Sequence, residues 1–277
     1  MKNLLLLIFT AVCLVSCSNQ DEPEPEIFSQ VSEITNSSNS ISKGITYDAY
    51  GRVIKYIAVY STESISATYT YPSDNLIKIH TQDVIFGQNG ASDILRTYEE
   101  ELYLENGRAS YCEGVFSSND VGSLFQKKYR HDFTYTTDNH LNVIKWTEWN
   151  KKGDEWVYDK PWTWENYYVW ENDNLTEVKD FSGNSKPYYT YKYTYSSMAD
   201  VQNIIPIHYG RFQYYPLQLK GIFGAQPTNP IIGMVQTIDN GTTYKTDYNY
   251  NIIDGKIVNY SETSNGISDD FTVTWTN

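Results

Sequence analysis

The stretch FTYTTDNHLNVIKW, residues 133–146, decides the fold. Phe133 and Tyr135 alternate with polar residues, Asp138 and Asn139 make a turn, and Leu141 and Val143 resume the alternation. A period of two puts one set of side chains on one face of a strand. Asn, Asp and Gly tolerate the positive φ that tight hairpin turns demand. The stretch therefore reads as one β-hairpin, and the same signature recurs along the chain. Copies are ITYDAYGRVIKY (45–56), YTYPSDNLIKI (69–79), LYLENGRASY (102–111), VWENDNLTEV (169–178) and YNYNIIDGKIV (248–258).

The aromatic anchors Tyr47, Tyr71, Tyr103, Tyr135 and Trp170 are spaced 24 to 35 residues apart. That spacing is too irregular for a rigid solenoid and fits successive hairpins joined by variable loops. YTYKYTY (189–195) and FTVTW (271–275) supply further strands. A lone meander of about a dozen strands exposes its edges and tends to curl. The expected architecture is all-β: an antiparallel up-and-down meander, closed or rolled into a water-soluble barrel. One segment breaks the rhythm. Ser197 to Asp200 resembles a capping box and Pro206 follows, which predicts a short helix near 198–205. From there to Pro230, Gly, Pro and aromatic residues predict a long loop over one end of the sheet.

The N-terminus carries an address. Lys2 precedes an apolar run over residues 4–12, too short to cross a bilayer and suited to a signal peptide. The run ends in Leu14-Val15-Ser16-Cys17, which resembles the lipobox of bacterial lipoproteins. The resemblance implies a signal peptide over 1–16 and lipid attachment at Cys17. More than one acyl chain on a residue anchors stably, so the membrane is an expected partner. Residues 18–26, acidic with Pro23 and Pro25, read as an extended tether, and 17–40 is taken as the lipidated tether before a single domain at 41–277. The acidic start also resembles the export tag of surface lipoproteins from Bacteroides-type bacteria. It implies an outer-membrane protein exposed on the cell surface, with a periplasm-facing one as the alternative.

Together, the lipobox, the tether, the Tyr-x-Tyr hairpins and the interruption GIFGAQPTNP (221–230) resemble an uncharacterised lipoprotein family of Bacteroides-type bacteria, a domain of unknown function with a porin-like β-barrel. The hairpins also look like the tyrosine–aspartate repeats of secreted shell proteins, with Tyr47-Asp48 and Gly51-Arg52 as the closest copy. These are fold motifs. They imply an architecture and no activity.

Composition narrows the rest. The chain has 277 residues, 34 Asp and Glu against 21 Lys and Arg, and a net charge of −13, which argues against nucleic acid. Mean hydropathy of −0.53, with Thr, Lys, Asp and Asn at alternate strand positions, argues against a lipid-facing barrel. Cys112 is the one cysteine of the body and reads as a small core residue. His80, His131, His140 and His208 lack metal-ligand spacing, and neither a metal nor a cofactor is expected. His131-Asp132 reads as solvated. The runs at Glu99–Glu101, Asp154–Glu155 and Asp269–Asp270 read as solvated faces or edge protection. No catalytic constellation is visible, so an enzyme is not expected.

Six of seven tryptophans fall between residues 146 and 170. Trp146, Trp149, Trp162, Trp164 and Trp170 form a candidate ligand-binding set, with Glu165 and Asn166 nearby, because indole faces stack on sugar rings; packing inside the barrel is the competing use. The sequence thus points to a non-catalytic surface lipoprotein that binds an extracellular ligand such as a glycan. A structural or protein-interaction module of the envelope, partnered by an envelope protein, is the alternative.

Overall fold

The computed structural model describes residues 29–36, 41–87, 92–120, 125–158, 164–182, 186–198, 201–205 and 212–276. Seventeen strands run in order: β1 (Val31–Asn36), β2 (Ser42–Tyr47), β3 (Val53–Val59), β4 (Glu63–Ser73), β5 (Leu76–Ile85), β6 (Ile94–Glu105), β7 (Arg108–Ser118), β8 (Phe125–Tyr135), β9 (Leu141–Lys152), β10 (Glu155–Tyr158), β11 (Trp164–Glu171), β12 (Asn174–Ser182), β13 (Tyr189–Tyr195), β14 (Ile231–Ile238), β15 (Thr243–Ile253), β16 (Lys256–Ser264) and β17 (Ile267–Trp275). Each pairs antiparallel with its sequence neighbours, except that β11 pairs with β9 in place of β10. β1 pairs with β17, bringing Ile34 opposite Val273, and the ring closes. Sixteen strands form that ring, and the short, exposed β10 pairs only with the end of β9. The count exceeds a dozen because strands such as β1 and β14 lack the aromatic–turn signature.

The closed end of the barrel holds the start of β1, the end of β17 and most of the two-residue turns. Asn106, Asn139, Asn172, Asp173 and Asp254 all take positive φ there, the conformation for which the turn motif selects. The recurrent aromatic has its own task. Tyr47, Tyr71, Tyr135 and Tyr195 donate their hydroxyls to the carbonyls of Val31, Val53, Ala109 and Leu175 at 2.7–2.8 Å. Tyr250 does the same to Ile231. The indoles of Trp170 and Trp275 donate to Leu141 and Ile257 at 2.7 and 2.8 Å. Each aromatic ends one strand and caps a carbonyl at the start of the strand beside it, where the ladder would otherwise stop. Tyr103 departs from the pattern: it stacks on Tyr111 and donates to Glu101 instead.

Inward positions are apolar and buried, as in Ile65, Ala67 and Tyr69 of β4 or Ile77 and Ile79 of β5. Outward positions carry ion pairs, among them Lys78–Glu101 at 2.8 Å and Arg130–Glu113 at 3.0 Å. The connection between β13 and β14 folds into the lumen. Its 3-10 turn, Phe212–Tyr214, leads into α1 (Tyr215–Leu219). Tyr214, Leu217 and Phe223 are at most 1% exposed, and Phe223 packs on Phe133 of the wall. Amides of Ala109, Ala225 and Thr228 tie this plug to the closed end through Ile222, Asn139 and Asp173.

Three expectations change. The short helix is α1, not near 198–205: residues 201–205 are non-helical, and Val201, Ile204 and Ile205 are buried without repeating backbone structure. The loop after it enters the barrel rather than lying over its end. Residues 31–36, read as tether, form the strand that closes the ring. Cys17, the signal peptide and the acidic stretch lie outside the described residues.

A candidate ligand cup at the open end

The plug stops short of the opposite end, leaving a cup of about 360 Å³ inside the barrel. Strands β4 to β9 wall it and Gln213 of the plug lies in its floor. Small-ligand sites have this size and this mixture of apolar and polar lining. Tyr98, Phe116, Phe125, Tyr129 and Trp146 supply the aromatic side. Tyr98 and Phe116 lie 5.0 Å apart between centroids, and Phe116 meets Phe125 edge-on at 6.4 Å.

The polar side comes from β4, β5 and β6. Thr81 and Asp83 follow Ile77 and Ile79 at alternate, inward positions of β5. The Thr81 hydroxyl and one oxygen of Asp83 are buried and have no hydrogen-bond partner among the described residues. The other Asp83 oxygen faces Arg96 at 3.9 Å. Burial pushes the Asp83 carboxyl above its usual pKa, the charge of Glu63 adds to the rise, and Arg96 opposes it. The cations of the cup have other partners: Arg96 pairs with Asp120 at 3.2 Å and Lys127 with Glu148 at 2.8 Å.

Beneath the floor, a buried polar group fastens the plug. Tyr214 donates to Glu100 at 2.8 Å, and the Gln213 side-chain amide donates to its other oxygen at 2.9 Å. The same hydroxyl lies 3.3 Å from Cys112 Sγ and 3.4 Å from His131 Nδ1. Cys112 and His131 are wholly buried and Glu100 is 3% exposed. Thus Cys112 is a core residue, while His131 and Glu100 are not solvated as their sequence neighbours suggested. Parity explains both: Asp132 faces out to Arg130, and Glu99 and Glu101 face out to His80 and Lys78. On the opposite wall, Lys43 sits 5.5 Å over the Tyr215 ring. Burial lowers the pKa of Lys43, with Glu262 opposing.

The tryptophan set is divided by the fold. Trp146 and Trp164 are cross-strand partners on the inner face, and Trp146 lines the cup against His131 at 4.1 Å. Trp149 lies on the outer face under Lys128 and beside Tyr158. Trp170 belongs to the closed end, stacked on His140 at 4.4 Å. Trp162 lies outside the described residues. Glu165 faces out and Asn166 is buried inward. Sequence reasoning missed Thr81, Asp83, Tyr98 and Phe116. The alternation from Ile77 through Asp83 was the signal that places the first two inside. A broader groove of about 500 Å³ on the outer surface is edged by Lys78, His80, Glu99 and Glu101, which already pair with one another. It offers no buried group in need of a partner.

The closed ring, the lumen and the plug can be set beside solved structures. A porin-like protein from Bacteroides vulgatus superposes with a TM-score of 0.58 at 15% identity, covering 89% of this chain and 98% of its own. The chain shares its fold with that porin-like barrel. A porin-like protein from Bacteroides uniformis gives a TM-score of 0.51 at 14% identity, covering 90% of this chain and 95% of the other. No protein-family model and no curated protein matches the sequence. At these identities the likeness concerns the porin-like barrel fold, and the site must be read from its own residues.

Proposed function

We propose that this chain is a non-catalytic, lipid-anchored envelope protein that binds a small extracellular ligand, a saccharide, in the cup at the open end of its barrel. The observation that carries the reading is the cup itself: an aromatic wall beside two buried, unpartnered acceptors on Thr81 and Asp83. Sugars need both, an apolar ring to stack on and acceptors for their hydroxyls. Trp146 is the indole of the sequence-derived set that lines the cup, with Trp164 beside it.

The anchor fits the same arrangement. β1 starts at the closed end, where Thr276 pairs with Gln30. A lipid on Cys17 would place the closed end toward the outer membrane and point the cup away from it. On the surface of the cell, that direction is toward the medium. The exposed strand β10, with Trp156 and Tyr158 at 37% and 47% exposure, favours a second reading in which an envelope protein is gripped there.

The test is a thermal-shift and tryptophan-fluorescence screen of residues 18–277 against a glycan panel. A ligand at 100 times its dissociation constant adds about 2.7 kcal/mol, or several degrees for a domain this size. A saturable shift that weakens in Trp146→Phe and persists in Trp149→Phe supports the cup. A shift lost only in Trp149→Phe or Trp156→Ala moves the contact to β10. Silence across the panel removes the saccharide reading.

A further inference from the structure

The charges of the cup are not balanced, and this defines the ligand more narrowly. Glu63 begins β4 at the open end and its carboxylate has no hydrogen bond or ion pair among the described residues. Asp83 lies diagonally across from it on β5, since Glu63 pairs with Ile85 and Asp83 with Ile65. Diagonal neighbours on one face stand within reach of long side chains. The two acids are close enough for the charge of Glu63 to act on Asp83. Each cation near them has a nearer acidic partner: Arg96 has Asp120, and Lys127 has Glu148. Among the described residues, one edge of the cup therefore holds an unpaired carboxylate, a half-paired carboxylate and the Thr81 hydroxyl, the last two 9% and 1% exposed.

Like charges held together in a half-dry cavity repel and lose hydration, and the arrangement is relieved by a cation that also donates hydrogen bonds. A bare metal ion fits poorly, because among the described residues no three His, Cys, Asp or Glu side chains form a metal-binding group. The wall that continues from Thr81 is aromatic: Tyr98 is its cross-strand partner, and the faces of Tyr98, Tyr129 and Trp146 attract an organic cation. Asp83 stands between Glu63 and Thr81 along that edge, so one ammonium suits the two carboxylates and a ring hydroxyl suits Thr81.

We propose that the cup selects a ligand bearing a protonated amine, an amino sugar with its nitrogen free, the amine recognised by Glu63 and Asp83 and a ring hydroxyl by Thr81. This rests on the saccharide reading for the ring and on the charge of the cup for the amine, and the two are separable. Calorimetric titrations of residues 18–277 with three β-1,4 disaccharides test it: the free-amine glucosamine dimer, its di-N-acetyl form, and cellobiose, below the pKa of the amine. These differ only in the group at carbon 2.

The free-amine dimer is expected to bind tightest, about tenfold or more over the neutral pair, as charge-assisted bonds imply. Glu63→Gln should erase most of that advantage while leaving cellobiose binding little changed, and Asp83→Asn should erase it while also weakening cellobiose, by a smaller factor. Affinity should fall with added salt. Equal binding of all three sugars, or an amine preference that survives both substitutions in folded protein, overturns the proposal and leaves the saccharide reading standing. If no disaccharide binds but putrescine does, and Asp83→Asn abolishes it, the amine recognition holds and the saccharide reading falls. If neither sugars nor putrescine bind, both fall.

Discussion

Asp83 has the signature of a residue kept for something other than stability. Its carboxyl is buried with one oxygen unpartnered among the described residues, and burial with the charge of Glu63 raises its pKa from the ordinary aspartate value. Its folded pKa thus exceeds the unfolded one. Between those values the native state binds more protons, so this group's contribution to stability declines as pH rises through the window and the penalty is complete above it. Asp83→Asn is therefore expected to unfold at a higher temperature than wild type at neutral pH, by a degree or more, with the difference vanishing toward the acid side. Calorimetric melts across pH 3–8 check this, and a lower melting temperature at neutral pH contradicts it. The aromatic caps run the other way. Tyr135→Phe removes the bond to the Ala109 carbonyl and should cost about 1 kcal/mol in urea unfolding. Tyr103→Phe, whose hydroxyl meets only the half-exposed Glu101, should cost much less. Alternation and turn chemistry made the hairpins legible, because both are local. The partner of each hydroxyl was not legible, because it depends on which carbonyl the neighbouring strand presents at the rim.

At the scale of elements, the plug is the part the sequence hid. Its residues show no period, because they pack against a curved wall rather than along one face. Two glycines reveal how tightly it fits. Gly224 has φ +89°, and a Cβ there would sit 2.5 Å from the Asn139 carbonyl. That approach is closer than any contact allows, and an L-residue is strained at that φ in any case. Gly224→Ala should cost 2 kcal/mol or so and speed amide exchange at Ala225, which bonds the same carbonyl. Gly114 works in the wall: its absent side chain leaves room for the Tyr129 ring, which a Cβ would meet at 2.6 Å. Glu100 joins wall to plug. Glu100→Leu would leave Gln213 and Tyr214 without their shared acceptor and should cost roughly 1–3 kcal/mol. Because Gln213 is also the floor of the cup, the same substitution should weaken any ligand that Trp146 fluorescence detects. Preserved affinity in a destabilised Glu100→Leu protein would show that floor and plug are independent.

For the whole molecule, the question is which solvent the barrel faces. A lipid-facing barrel needs an apolar outer band about 25 Å tall, and a Lys or Arg at its midplane costs roughly 2–4 kcal/mol. Here outward positions along the strands hold Lys78 and Glu101, Glu113 and Arg130, Lys145 and Glu165, and Glu177 with Lys179 and Lys192. These pairs occupy four consecutive strand pairs of the ring, from β5 to β13. Exposed apolar residues such as Ile57 with Val59 and Tyr167 with Val169 stand between these charges. Inside, the lumen that a channel would leave open is filled at one end by Tyr214, Leu217 and Phe223. The fold is that of porin-like proteins, and among the described residues charge faces outward and aromatic packing inward, the reverse of what a lipid-facing barrel needs. Residues 18–277, made without the lipid, should therefore run as a single species in detergent-free buffer by sedimentation. They should stay in the supernatant when mixed with extruded phosphatidylcholine vesicles and raise no conductance in planar bilayers. Aggregation without detergent, or a stepwise conductance, would mean that the charged outer face is not what water meets.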